Sequence, residues 1–150
     1  MQLLLPFLFS ILTILSITPH FQYAMTKLHE IGHIIHLRIS SILLKQTYHK
    51  SEININKSGY FTLYSGYTHN TLYKYFEDNK MYNYIRINAI SGTLFVTLVF
   101  ITTGICFDIL LLKQKYYLIF TIPNMALEIL NFFTSSDFKY FIKPEEYKYL

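Results

Sequence analysis

Residues 21–44 read FQYAMTKLHEIGHIIHLRISSILL, and the polar residues in this stretch recur at helical spacing. On a helical wheel Thr26, His29, Glu30, His33, His36 and Ser40 form one stripe. Leu28, Ile31, Ile35, Ile39 and Ile42 occupy the opposite side. His29 and His33 are four residues apart, so both imidazoles project from one face, one above the other. Two such nitrogens can share one zinc ion. Glu30 sits beside the first of them, within reach of a water held by the ion and without ligating it. Zinc lowers the pKa of that water, and a carboxylate can take its proton as it attacks a carbonyl. Gly32 has no side chain, so another backbone or a substrate can approach there.

The surroundings of this helix are apolar. Of 150 residues, 52% are hydrophobic and only 15% charged, against roughly 25% charged in soluble domains. Four apolar stretches stand out: 3–18, 21–44, 87–112 and 116–133. A membrane-spanning helix needs about 20 apolar residues. A polar stripe inside such a helix is costly and marks function. Residues 3–18 read as a retained helix rather than a signal peptide, because no Lys or Arg precedes them and no small-x-small cleavage site follows. Pro19 closes that helix and starts a tight connection.

Residues 45–86 form the long polar connection. Within 51–64, Ile53, Ile55, Tyr60, Thr62 and Tyr64 alternate around Lys57-Ser58-Gly59, which predicts a β-hairpin. Residues 71–84 read as a surface helix near lipid headgroups. Lys45, Lys50, Lys57, Lys74, Lys80 and Arg86 lie in the connection, and Lys139, Lys143 and Lys148 in the tail. With four spans, this bias places the connection and both termini in the cytoplasm. The net charge of +4 supplies no continuous basic face for nucleic acid. Cys106 lies in an apolar run and reads as a packed thiol. The abundance of Ile, Asn, Lys and Tyr, with no Trp, fits AT-rich coding of a bacterial kind.

A catalytic zinc takes three protein ligands and keeps one position open. Asp137, Glu128, Asp108 and His69 are the candidates for the third ligand. His36 shares the stripe, but His29, His33 and His36 spread along about 10 Å of helix axis, which makes joint ligation awkward. Asp137 lies about 13 Å along a straight helix from the centre of the fourth apolar stretch. It reaches the histidines only if that helix breaks and its end folds inward. Pro123 and Thr134-Ser135-Ser136 are the places where this could happen.

Leu28-His29-Glu30-Ile31-Gly32-His33 resembles the zinc motif of the site-2 protease family of intramembrane metalloproteases. Ala89-Ile90-Ser91-Gly92-Thr93 resembles the family's A-x-x-G-P opening of a core helix, with Thr93 where the family has proline. Asn131 and Asp137 resemble the N-x-x-P…D-G segment, with the proline absent, a shorter spacing and Phe138 in place of glycine. The likeness covers the layout of roughly residues 21–140 and three short stretches of sequence. It implies zinc held by His29, His33 and Asp137, with Glu30 as catalytic base.

The sequence therefore predicts one domain over residues 1–150, mainly α and integral to a membrane. Its architecture would be a bundle of about four transmembrane helices with a small β-hairpin element. The expected activity is zinc-dependent cleavage of a membrane-embedded or membrane-adjacent peptide or protein, in the membrane of a bacterial cell. The expected partners are that substrate and the lipid bilayer, with no nucleic acid. The rival readings are a non-proteolytic membrane protein that keeps the zinc motif, and an anchored or secreted soluble metalloprotease.

Overall fold

The computed structural model describes residues 4–57, 64–110 and 115–149, apart from the Asp108 side chain. The chain is mainly helical. Two helices open it, α1 (Leu4–Leu15) and α2 (Pro19–Leu43), followed by two strands, β1 (Glu52–Asn56) and β2 (Ser65–His69). Then come α3 (Leu72–Asp78), α4 (Tyr82–Leu110), α5 (Leu118–Thr134) and α6 (Ser136–Ile142), with a 3-10 turn at Pro144–Glu146.

Pro19 is the first residue of α2, where its missing N–H costs nothing. The buried Gln22 Nε2 donates to Ser16 O at 2.8 Å and pins the corner between the helices. Across this corner α1 and α2 are bent by 77°. With 12 residues, α1 is only about 18 Å long, well short of a bilayer core of about 30 Å. Among the described residues, α1 is thus too short to cross a bilayer by itself. Among the described residues, one helix by itself is long and apolar enough to cross a membrane, over Tyr82–Phe107. The count rises to 3 if each bent pair, α1 with α2 and α5 with α6, acts as one span.

β1 and β2 pair antiparallel, from Glu52 opposite His69 to Asn56 opposite Ser65. Of the residues whose alternation predicts the second strand, Tyr60 and Thr62 lie outside the described part, and the described strand starts at Ser65, just after Tyr64. At Gly66 the strand settles closely against α2, and a Cβ there would lie 2.7 Å from Glu30 Oε1. The surface helix predicted over 71–84 is also divided. It is broken after Asp78, Lys80 takes a positive φ of 51°, and α4 starts at Tyr82, ahead of the apolar run.

Packing differs between the two ends of the molecule. Leu37, Leu72, Tyr73, Phe76 and Ile85 form a conventional apolar core between α2, α3 and the start of α4. Elsewhere the pattern is inverted. Along α5 the buried residues are Thr121, Asn124, Glu128 and Phe132, at helical spacing. In α4 the buried set includes Asn88, Ala89, Thr93 and Val96, while Leu94 and Leu98 are 56% and 59% exposed. In α2 the motif residues face inward, and Ile35, Ile39 and Ile42 face out. α2 and α4 meet where Gly32 faces Ser91 and Gly92, and a Cβ on Gly32 would come within 2.6 Å of Ser91 O. Backbone, not substrate, fills the space that Gly32 leaves.

Candidate metal centre

His29, Glu30 and His33 are all buried on the inward face of α2. α5 ends at Thr134, and Ser135 is extended, with φ −87° and ψ 167°. α6 then departs at 64° from α5. The break lies at Ser135, while Pro123 sits inside an unbroken α5. A Ser at the break can satisfy the freed carbonyl of the preceding turn, and Ser135 Oγ donates to Phe132 O at 2.8 Å. The turn brings Asp137 back to α2. Its Oδ2 lies 3.1 Å from His29 Nε2 and 3.5 Å from His33 Nε2.

Ligand atoms of His29, His33 and Asp137 all lie within 4.8 Å of one another, so the three could hold a metal ion. The donor set fits a cation with one or more open positions. Tetrahedral bonds of about 2.0–2.1 Å imply donor separations of about 3.3–3.4 Å. The two imidazole–carboxylate separations of 3.1 and 3.5 Å bracket that value. Each histidine uses its far nitrogen elsewhere. His33 Nδ1 is 2.8 Å from Asn88 O and 3.2 Å from Ser91 Oγ. His29 Nδ1 is 2.6 Å from Glu128 Oε1. With Nδ1–H donating, each ring would offer an unprotonated Nε2 to an ion held at the centre, as metal-ligating histidines do.

Glu30 stands beside this cluster and outside it. Thr68 Oγ1 donates to Glu30 Oε2 at 2.8 Å. Gly66 and Thr68 share one face of β2, and both bear on this carboxylate. Two cavities meet at the centre, of about 220 and 430 Å³, and Glu30, Gly66, Ser136 and Asp137 line both. Asn131 lines the smaller cavity.

The other candidates lie elsewhere. Glu128 contacts the His29 nitrogen that faces away from Asp137. His69 pairs through Nε2 with Tyr149 OH at 2.9 Å. His36 Nε2 is 3.3 Å from Ser40 Oγ, away from the cluster. The Asp108 side chain lies outside the described part. Cys106 is exposed rather than packed, because its side of α4 faces outward with Ile105 and Ile109.

Gly66, Thr68 and Asn88 have site contacts that the sequence alone does not give, and Thr93, noted only as the replacement of a proline, has one with Glu128. Asn88 and Thr93 carried a usable signal, since small polar residues within an apolar helix need partners. Comparison with protein-family models, curated proteins and solved structures found no match.

Proposed function

We propose that the chain is a zinc-dependent endopeptidase seated in a membrane, acting on membrane-embedded or membrane-adjacent peptide segments. The observation that carries this reading is the convergence of His29, His33 and Asp137 from two separate helices beside the buried Glu30. Two imidazoles and one carboxylate with an adjacent acid suit zinc and hydrolysis. Zinc at this position supplies a Lewis acid that makes water nucleophilic near neutral pH.

Glu30 takes the proton of the attacking water and returns it to the departing amine. Thr68 orients it by donating to Oε2. The glycine at 66 leaves room for Oε1. β2 runs past Glu30, and an extended peptide added along it would pass from one cavity into the other. The membrane setting is supported by the apolar helix Tyr82–Phe107 and by the outward apolar residues of α1, α2, α4 and α5.

Metal analysis of the purified chain tests the centre. Wild type should carry about one zinc, and His33→Ala and Asp137→Asn should lose it. Full zinc retention in both variants would sink the site. Glu30→Gln should keep its zinc and lose cleavage of transmembrane model peptides in micelles. Equal cleavage by Glu30→Gln and wild type would remove Glu30 as the base. Zinc-loaded wild type without cleavage would favour a non-proteolytic metal-binding membrane protein.

A further inference from the structure

Glu128 is the one acidic residue in the sequence of α5, and it is 8% exposed. A carboxylate buried in an apolar helix is retained only with partners. Glu128 Oε1 has two, His29 Nδ1 at 2.6 Å and Thr93 Oγ1 at 3.2 Å. The Thr93 hydroxyl donates to it, and so does the imidazole N–H. Thr93 stands where the A-x-x-G-P pattern has proline. The place where the chain departs from that pattern is therefore the place that supplies the hydroxyl.

The two imidazoles of the centre are held unequally. His33 gives its N–H to a neutral peptide carbonyl, that of Asn88. His29 gives its N–H to a carboxylate. A carboxylate fixes the tautomer as a carbonyl does, and it also raises the donor strength of the opposite nitrogen. The His29 ring has no freedom to turn away, since Gly92 packs against it on α4. We propose that Glu128, held by Thr93, is a positioning residue that locks His29 with its proton on Nδ1 and strengthens Nε2 as a metal donor. This assignment rests on the metal-centre reading. It makes Glu128 a partner of a ligand rather than a ligand.

The test is zinc affinity of the full-length chain in micelles, measured by competition with a chromophoric chelator. Glu128→Met keeps length and suits an apolar helix. It should weaken zinc binding by roughly 10- to 100-fold. Glu128→Gln retains an acceptor for the N–H without the charge, so it should recover part of that loss. Thr93→Val should weaken binding by roughly 2- to 10-fold and add nothing once Glu128 is Met. The Nδ1–H proton shift of zinc-loaded His29 gives a readout that stability alone would not move. It should lie downfield in wild type, as for an N–H given to a carboxylate, and move upfield in Glu128→Met. If Glu128→Met does not fold, Glu128→Gln and Thr93→Val carry the same comparison. Zinc-loaded wild type with unchanged affinity and Nδ1–H shift in these variants overturns the role of Glu128 alone. Wild type that binds no zinc overturns this assignment together with the metal centre.

Discussion

Gly92 on α4 packs against the His29 ring on α2, and a Cβ at Gly92 would overlap Nε2, Cδ2 and Cε1 of the imidazole. The ring cannot yield easily. Glu128 and Asp137 hold its two nitrogens from opposite edges. Gly92→Ala should therefore displace a ligand before it unfolds the protein. Zinc content should fall by at least tenfold while helicity persists. The contrast is Gly32→Ala, whose Cβ would meet Ser91 O at 2.6 Å and Gly92 Cα at 2.8 Å. Backbone cannot rotate aside, so α2 and α4 must separate. A loss of about 1–3 kcal/mol is expected, read as a lower thermal midpoint in micelles.

Glu30 should be separable from the metal. Thr68→Val deletes the hydroxyl that donates to Oε2 and keeps the β-branched shape of the strand. Gly66→Ala places a methyl 2.7 Å from Oε1. Both should retain zinc near the wild-type level. Peptide cleavage should fall by roughly 10- to 100-fold, the range set by general-base contributions. Thr68→Ser should recover most of the rate. Loss of zinc in Thr68→Val would show that β2 supports the metal centre rather than the base.

The helix period made the pairing of His29 and His33 legible in the sequence, because both side chains sit on one element and the spacing alone sets their geometry. Asp137 was not legible in this way. Counted along a straight helix it falls about 13 Å out of reach, and only the turn at Ser135 returns it to His29. Tyr60 and Thr62 of the expected second strand lie outside the described residues, and Gly66, which packs against Glu30, has no side chain to join an alternating pattern. Asn88 and Thr93 announced a need for partners through their polarity. Their partners, on α2, α3 and α5, depend on how helices distant in sequence pack.

The lipid-facing assignment of α4 can be tested at Leu94, near the middle of Tyr82–Phe107 and 56% exposed. Leu94→Arg should cost about 2.5–3.5 kcal/mol of insertion free energy. The variant should shift measurably out of the alkali-resistant membrane fraction, where wild type should be found. On a water-facing helix the same change would be neutral to solubility. An unchanged membrane fraction in Leu94→Arg would therefore count against hydrocarbon at this face. Lys139→Gln offers a control, since that side chain is exposed and already paired with Glu146 at 3.1 Å.

Tyr73 reaches the candidate metal centre indirectly, and its substitution should separate stability from metal binding. Its hydroxyl donates to Asn88 Oδ1 at 2.7 Å, whereas His33 Nδ1 leans on the backbone oxygen of Asn88. Tyr73→Phe leaves a buried amide oxygen without its donor, at a cost of about 1–3 kcal/mol. Asn88→Ala leaves the hydroxyl unpaired at a similar cost, yet its peptide carbonyl stays in place for His33. Both variants should lower the thermal midpoint and keep zinc affinity within a few-fold of wild type. The double variant should cost less than the sum, because no orphaned partner remains. Burial pushes the Tyr73 hydroxyl well above its ordinary value. Its contribution is thus complete below the unfolded value of about 10 and is lost as pH rises beyond it. Tyr73→Phe should therefore flatten the alkaline fall in stability, and an equally steep fall in both proteins would place the alkaline sensitivity elsewhere.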